Sequence, residues 1–337
     1  MNRTTLLAAL LVLLAGCGGP QASGQSTPSP RQPGVLGDTW AWDGAAWHRA
    51  FTAGPAPRYA AALAYDAKRK VYVLFGGQMA KAISDETWTW DGKAWKAMSP
   101  AHNPGPRERA VMGFDSAHQV VVLFGGSRAD RGHSYIMGDT WTWDGTDWTE
   151  VQTGLGVLGY RLGSRMITAG DRVILFGGRS DADFSGDAWT WGGKTWSRID
   201  KAPGPLGRAN AAVSWDPVDS TLVVFGGIGL KDKFGAWVPG VPLGDAWSLS
   251  GAVWTQLNGS GPPALGSANA IWDASNKRTV VLLGIGCDKP SDAAWAWDGK
   301  AWSKLATPGM SARWSAASAQ GADGKALLFG GSDQSGC

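Results

Sequence analysis

A tryptophan-rich motif that recurs six times is the feature of this sequence that most restricts its fold. The stretch GDTWTWDGTDW at residues 138–148 places three tryptophans around an Asp-Gly turn. Related stretches lie at 37–47, 86–95, 186–196, 244–254 and 292–302. The first tryptophan of each stretch follows the previous one after 48, 53, 48, 58 and 48 residues. The chain is therefore built from a repeated structural unit of about 50 residues.

A second recurring segment precedes the tryptophan motif. It reads RYAAALAYDAKRKVYVLFGG at 58–77 and recurs at 107–126 and 208–227, with looser copies at 161–178, 265–286 and 313–331. Four strands fit one unit: A over 58–65, B over 71–75, C over 87–90 and D over 94–98. The Gly-Gly pair ends strand B where the backbone needs a positive φ or has no room for a Cβ. Four short strands in each unit predict the blades of a β-propeller.

The three tryptophans of one motif are expected to lie on one face of their blade. Trp141 and Trp143 are two residues apart in strand C, so they point the same way. A hairpin with an even-numbered loop brings Trp148 to the same face. Burial of each ring contributes up to about 5 kcal/mol, so the neighbouring blade is expected to cover them. A platform on which carbohydrate stacks is the alternative interpretation.

The order of the half-units predicts how the array closes. There are six A–B halves and six C–D halves, but the chain starts with a C–D half at 38–50 and ends with an A–B half at 313–331. Only the pairing of the first strands with the last completes the sixth unit. We therefore predict an all-β, six-bladed β-propeller closed by N-terminal strands that pair with C-terminal strands.

The combination of FGG with the hairpin W-x-W-D-G-x-x-W resembles kelch repeats, in particular those of the central domain of galactose oxidase. The resemblance covers about 38–331, although kelch repeats usually carry Tyr in the third strand and the fifth unit here departs most from the pattern. It implies a kelch-type propeller. It does not imply one function, because kelch propellers include enzymes and adaptors.

Five arginines recur where strand A begins: Arg58, Arg107, Arg161, Arg208 and Arg313. In some kelch adaptors, arginines at this position bind acidic peptides, so the resemblance implies a ligand with a carboxylate, a sulfated or acidic sugar, or an acidic peptide. The alternative is a structural pair with the acid two residues before the first tryptophan: Asp38, Glu86, Asp139, Asp187 and Asp245. In the fifth unit Leu265 and Ala293 replace both partners, which favours pairing. Both interpretations stay open.

The loops between strands B and C vary most, and variable loops on a scaffold often carry specificity. The loop at 127–137 offers Arg131, His133 and Tyr135, and the loop at 228–243 offers Trp237. Together with the five arginines they are the predicted ligand-binding residues, for a protein, peptide or glycan partner. Packing of Trp237 onto the propeller is the alternative for that residue.

The residue inventory restricts catalysis. Galactose oxidase uses two tyrosines, two histidines and a cross-linked cysteine at copper, and the scattered histidines here do not fit that set. Sialidases use an Arg triad, an acid and a Tyr–Glu pair, for which only Glu108 and Tyr160 are candidates at the propeller mouth. A carbohydrate-active enzyme of sialidase or sugar-isomerase type is therefore the alternative to a binding module. We predict no catalytic residue, no metal and no cofactor.

The N-terminus is typical of a secretion signal. Residues 1–16 form a basic start, a short apolar run and small residues, and LAGC at 14–17 resembles a bacterial lipobox with Cys17 as the lipidated residue. Residues 17–36 read as a flexible linker and 37–337 as the propeller. A lipid anchor at Cys17 places the protein outside the cytoplasm on the bacterial cell membrane.

Two further predictions concern cysteines and partners. In an oxidising compartment, Cys287 and Cys337 are expected to form a disulfide, and two free thiols are the alternative. The 31 Lys and Arg nearly balance the 28 Asp and Glu, so charge indicates neither a nucleic-acid partner nor a membrane surface beyond the anchor. We expect a monomer.

Overall fold

The computed structural model describes residues 34–130, 133–153, 158–201, 203–229, 240–286, 289–306, 308–321 and 324–334. These residues form 29 strands and no α-helix. The first ten are β1 (Thr39–Trp42), β2 (Trp47–Ala50), β3 (Ala62–Asp66), β4 (Val71–Phe75), β5 (Thr87–Trp90), β6 (Trp95–Met98), β7 (Val111–Asp115), β8 (Val120–Phe124), β9 (Ser127–Asp130) and β10 (His133–Ile136). The next ten are β11 (Thr140–Trp143), β12 (Trp148–Val151), β13 (Arg165–Ala169), β14 (Arg172–Arg179), β15 (Phe184–Trp191), β16 (Trp196–Arg198), β17 (Arg208–Ala209), β18 (Ala212–Asp216), β19 (Thr221–Phe225) and β20 (Ile228–Gly229). The last nine are β21 (Val241–Pro242), β22 (Ala246–Ser250), β23 (Val253–Leu257), β24 (Asn269–Asp273), β25 (Arg278–Leu282), β26 (Ala294–Trp297), β27 (Trp302–Leu305), β28 (Ala317–Gln320) and β29 (Ala326–Phe329).

Most of the described strands pair into six four-stranded antiparallel sheets, which we number I to VI. In addition, β9 and β10 form a hairpin, and β17, β20 and β21 form a three-stranded sheet. Sheet I contains β3–β6, sheet II contains β7, β8, β11 and β12, sheet III contains β13–β16, sheet IV contains β18, β19, β22 and β23, and sheet V contains β24–β27. Sheet VI joins the two ends of the chain, because β1 and β2 pair with β29 and β28. In this sheet Thr39 lies opposite Phe329 and Trp42 lies opposite Ala326. Such an all-β arrangement is consistent with a β-propeller.

Strands B, C and D of the first repeat lie where the sequence predicts them, but strand A starts later. β3 begins at Ala62 instead of residue 58, because the preceding residues form a turn in which Ala60 has a φ of 54°. The Gly-Gly pair ends strand B as expected. Gly77 has a φ of 99°, and a Cβ at this position would lie 2.8 Å from the Cβ of Ala61. A side chain at position 77 would therefore collide with the residue that follows the turn at Ala60, so the turn requires glycine at this position.

The residue with left-handed φ recurs before each inner strand, by which we mean β3, β7, β13, β18, β24 and β28. These residues are Ala60, Arg109, Gly163, Asn210, Ser267 and Ser315, with φ between 49° and 65°. The N–H of each donates to the carbonyl of its counterpart in the preceding sheet, and Ala60 of sheet I donates to Ser315 of sheet VI. The N···O distances run from 2.6 to 3.4 Å. We call this set of six hydrogen bonds the backbone ring; it holds the starts of the six inner strands at one end of the molecule.

The third tryptophan of a motif packs across to the preceding sheet. Trp148 of sheet II is 1% exposed, and its indole N–H donates to the hydroxyl of Thr87 in sheet I at 2.9 Å. Its ring also meets the edge of Phe75 of sheet I, with centroids 5.3 Å apart. The same edge-on contact joins Phe124 to Trp196, Phe176 to Trp254, Phe225 to Trp302 and Phe329 to Trp95. These rings hold neighbouring sheets together, so they offer no free stacking platform.

Candidate functional site

The five recurrent arginines are buried, and each pairs with the acid of its own sheet. Arg107 is fully buried and donates to both carboxylate oxygens of Asp139, at 2.9 and 3.0 Å. The remaining pairs are Arg58–Glu86 at 2.5 Å, Arg161–Asp187 at 2.5 Å, Arg208–Asp245 at 2.7 Å and Arg313–Asp38 at 2.6 Å. The last pair joins the two ends of the chain within sheet VI. The five arginines mark one end of the molecule, which we call the arginine face.

Further hydrogen bonds bring each guanidinium to four or five engaged N–H donors out of five. Arg208 donates to the carbonyls of Leu206 and Gly226 as well as to both oxygens of Asp245. Burial alone would raise the pKa of Asp245, but the hydrogen bonds and the positive charge of Arg208 outweigh it and lower that pKa. With their charges paired and at least four of their five N–H donors engaged, these arginines fix the entry to five of the six inner strands. The structural pair that the sequence offered as the alternative is therefore present, and ligand binding by these arginines stays a prediction.

Sheet V lacks both the arginine and the acid of this pair. Leu265 replaces the arginine and is 3% exposed, in contact with Phe225 and Val281. Ala293 replaces the acid, and the indole nitrogen of Trp295 is then buried without a hydrogen-bond partner. In sheet II the equivalent indole of Trp141 donates to Asp139 at 2.7 Å. The acid thus serves both the arginine and the first tryptophan.

The other predicted ligand residues lie on a hairpin or outside the described residues. His133 and Tyr135 are exposed on β10, which pairs with β9 in a two-stranded hairpin that the sequence did not predict. The guanidinium of Arg128 lies 5.6 Å from the centre of the Tyr135 ring. Arg131, Trp237, Cys17, Cys287 and Cys337 fall outside the described residues.

The pair considered for glycosidase chemistry does not come together. Glu108 accepts a hydrogen bond from Arg109 at 2.8 Å, whereas the ring of Tyr160 is 64% exposed and no hydrogen bond joins it to Glu108. Tyr59 is the tyrosine that lies near the charge of Glu108. Its pKa is raised, mainly by burial and also by this negative charge. A nucleophilic phenolate needs the opposite shift.

A partly enclosed cavity of about 360 Å³ lies between the six inner strands, all of which line it. The lining starts one residue after the backbone ring, at Ala61, and extends to turn residues that follow the inner strands, including Pro217, Ala274 and Gly324. In each sheet this turn lies at the end opposite the arginine face, and we call that end the turn face. The cavity therefore runs from beneath the backbone ring to the turn face, whereas the sequence placed the site at the arginine face.

Arg165 is the cationic residue that lines this cavity, and it differs from the five paired arginines. Its Nε–H donates to the carbonyl of Ala211 at 2.7 Å, and Nη2 donates to the carbonyl of Ala268 at 3.2 Å. Among the described residues no carboxylate lies within ion-pair distance of its guanidinium. Burial lowers its pKa to about 10, and no neighbouring negative charge opposes the shift. Its side chain spans sheets III, IV and V and presents an uncompensated positive charge to the cavity.

Two buried polar groups of the lining have no hydrogen-bond partner within the described part of the chain. The Nδ2 of Asn269 is unpaired, although its Oδ1 accepts from the Ser318 hydroxyl at 2.8 Å. The Ser214 hydroxyl is unpaired as well. Asn269 is 3% exposed and Ser214 is 1% exposed. An unpaired buried polar group costs about 1–3 kcal/mol, so such groups in a cavity wall indicate a missing partner.

Sequence reasoning missed these residues, but an alignment of the repeats contains a signal. The first paired position of the inner strand is occupied by Ala62, Val111, Arg165, Ala212, Asn269 and Ala317 in sheets I to VI. Four small apolar residues and two polar ones at one position mark sheets III and V as different.

Among the described residues, no group of three or more His, Cys, Asp or Glu side chains is placed to hold a metal ion. The same part of the chain contains no helix that is long and apolar enough to cross a membrane. No protein-family model matches the chain, and no curated protein matches it either.

Proposed function

We propose that this protein is a six-bladed, kelch-like β-propeller whose circle is closed by β1 and β2, and that it serves as a binding module outside the cytoplasm. Three features support closure: the pairing of β1 with β29, the Arg313–Asp38 ion pair and the return of the backbone ring from Ala60 to Ser315. The lipobox-like LAGC segment supports a lipid anchor at Cys17. In this proposal the protein acts as a monomer.

The binding site in this proposal is the central cavity. The observation that carries it is the set of polar groups with unused donors, from Arg165, Asn269 and Ser214, on a wall that is otherwise built mainly of small and apolar residues. A cavity of about 360 Å³ lies at the lower end of the usual range for small-molecule sites, so the ligand is a small molecule or the tip of a larger glycan or peptide.

A binding role is favoured over catalysis for a structural reason. Catalysis by proton transfer or nucleophilic attack needs an acid, a base or a nucleophile that can reach the ligand. Arg165, Asn269 and Ser214 supply a guanidinium, an amide and a hydroxyl, and within the described residues no base is hydrogen-bonded to that hydroxyl. Glu108, in turn, is bound to Arg109. The sialidase-like alternative is therefore the weaker candidate.

The test is a ligand screen with a blocked variant. The full-length protein, purified in detergent, is screened by thermal shift against small neutral and anionic sugars, organic acids and short acidic peptides. Ala270 is half-buried and lines the cavity, so Ala270→Phe places a large ring in it. The matched control, Ala56→Phe, makes the same change at an exposed position on the arginine face. A cavity ligand raises the Tm of the wild type and of Ala56→Phe, but not of Ala270→Phe, because ligands stabilise only the state that binds them.

Two results would overturn the proposal. Ligands that stabilise Ala270→Phe as much as the wild type would place binding on the outer surface. Loss of binding in Ala56→Phe with retention in Ala270→Phe would return the site to the arginine face.

A further inference from the structure

We propose that the central cavity binds a single monoanionic oxyanion, of the carboxylate or sulfonate kind, with Arg165 as the charged anchor and Asn269 and Ser214 as neutral donors. This inference rests on the proposed cavity site and adds the chemical class of its ligand. It depends on three observations: the charge in the cavity, the donors that remain unused and the rigidity with which they are held.

The charge favours a monoanion. A guanidinium stays protonated even where burial lowers its pKa, so Arg165 brings one positive charge into the cavity without a carboxylate partner among the described residues. Arg165 is partly buried, and a charge that is withdrawn from water is normally paired. One negative charge on the ligand would neutralise the guanidinium of Arg165. A dianion would bring a second negative charge without a partner, and a neutral molecule would leave the positive charge of Arg165 unpaired.

The unused donors favour an oxyanion over other anions. A guanidinium carries five N–H groups in a planar fork. Arg165 uses two of them, one for the carbonyl of Ala211 and one for that of Ala268, so three remain. The amide nitrogen of Asn269 adds two donors and the hydroxyl of Ser214 adds one. Several donors on one cavity wall, with no carboxylate at ion-pair distance from Arg165 in the described part of the chain, suit a ligand group with two or three oxygen acceptors.

The scaffold holds these groups in place before a ligand arrives. The two carbonyls that fix Arg165 belong to residues directly after members of the backbone ring, Asn210 and Ser267. Asn269 is fixed through its Oδ1 by Ser318 of sheet VI. The three donors thus come from sheets III, IV and V, whose spacing the backbone ring sets. Preorganised donors bind with a smaller entropic cost than mobile ones.

The aromatic side chains of the lining indicate the character of the rest of the ligand. Tyr65, Trp215 and Trp272 line the cavity near the ends of their inner strands, towards the turn face. Arg165, in contrast, starts its strand next to the backbone ring. A ligand with its anionic group under the ring and a flat apolar or sugar-like body towards the turn face would match both ends.

The experiment compares four probes that share a phenyl ring. Benzoate and benzenesulfonate are monoanions, phenyl phosphate is largely dianionic at neutral pH, and benzamide is neutral. Binding to the full-length protein in detergent is measured by isothermal titration calorimetry. We expect the two monoanions to bind at least about tenfold more tightly than benzamide, as befits hydrogen bonds to a charged group. The ratio of benzoate to benzenesulfonate affinity then distinguishes planar from tetrahedral oxyanions.

Variants assign the binding to the three side chains. Arg165→Gln removes the charge and keeps donors, and we expect it to reduce benzoate affinity at least about tenfold and to abolish the preference over benzamide. Asn269→Asp is nearly isosteric and adds a competing carboxylate, so it should also eliminate benzoate binding. Arg172→Gln makes the same chemical change in the same sheet at a half-exposed position outside the cavity, and should bind like the wild type.

The outcomes separate this inference from the proposed function. If benzamide and benzoate bind equally and Ala270→Phe abolishes both, the cavity binds small molecules but the monoanion inference is wrong. Tighter binding of phenyl phosphate than of either monoanion would also overturn it. Absence of any monoanion binding in the millimolar range would overturn it too, while the ligand screen could still succeed with neutral sugars. Should Arg165→Gln fail to fold, Asn269→Asp and Ser214→Ala supply the test.

Discussion

The ion pair between Arg313 and Asp38 offers the sharpest test of the proposed closure of the chain. The two residues are 275 positions apart, yet Arg313 donates to both oxygens of the carboxylate, at 2.6 and 3.0 Å. Its other donors reach Gly330 and Ser311. The perturbation is a double-mutant cycle made of Arg313→Leu, Asp38→Ala and the combination of both.

The structure supplies the expected magnitudes. Either single substitution leaves a charged partner buried and unpaired, which costs about 3–5 kcal/mol in the free energy of unfolding. The double variant recreates the Leu265 and Ala293 arrangement of sheet V, in which no charge is left over. It retains one defect, an unpaired indole at Trp40, for about 1–3 kcal/mol. The double variant should therefore be at least as stable as either single one, with a coupling energy of about 2 kcal/mol or more.

The assay is urea denaturation of the wild type and the three variants, with an equivalent cycle at Arg107 and Asp139 as control. The control pair has the same chemistry, but its residues are only 32 positions apart. A coupling energy at the control pair together with none at Arg313 and Asp38 would mean that β1 does not pair with β29 in solution, and would refute the closed circle.

Three further predictions concern stability. Ala188→Thr should raise the free energy of unfolding by about 1 kcal/mol, because the new hydroxyl can accept a hydrogen bond from the unpaired indole of Trp254, as Thr87 accepts one from Trp148. Ala188→Val has the same shape without the hydroxyl and should give no such gain in the same urea assay. Gly77→Ala should lower stability by about 2 kcal/mol or more, since it combines a φ of 99° with a close contact to Ala61; Gly92→Ala, with a φ of 96° and open space, should lose only about 1 kcal/mol, and equal losses would contradict the steric argument. Stability should fall as pH drops below about 4. Burial alone would raise the pKa of Asp38, Asp187 and Asp245, but their arginines lower it below the unfolded value of 3.8. The unfolded state therefore takes up protons first, and the stabilisation present above pH 3.8 is lost as the pH falls through the native pKa values. Denaturation curves between neutral pH and about pH 3 should show a shallower decline for Arg208→Leu with Asp245→Ala than for the wild type, and parallel declines would show that these carboxylates do not govern acid stability.

Much of the fold could be predicted because its determinants are local and repeated. β4 and β5 lie at the predicted bounds, since alternation and Asp-Gly turns act over a few residues. The start of β3 was placed too early, because the left-handed turn at Ala60 is stabilised by a hydrogen bond to Ser315 in another sheet. A long-range contact of this kind leaves no local signature.

The candidate site divides in the same way. The joint loss of Leu265 and Ala293 already favoured pairing of each arginine with its acid, and the pairs at Arg107 and Asp139 have that form. Whether the guanidinium groups kept any donor for a ligand could not be read from spacing, because Gly125 and Pro104 engage Arg107 through backbone carbonyls. Any residue type can provide such an acceptor.

The sequence by itself predicted the repeat and the strands of each unit, and it favoured the burial of the tryptophans and the pairing of arginine with acid, because each of these depends on residue types at short, fixed spacings. Only the tertiary structure decided that Arg165, Asn269 and Ser214 share one cavity, and that this cavity extends to the turn face. Their place on one cavity wall depends on how the inner strands of different sheets lie around the backbone ring. The repeats mark Arg165 as an exception, but the carbonyls that bind it belong to two other sheets, and a backbone carbonyl leaves no signature in the sequence.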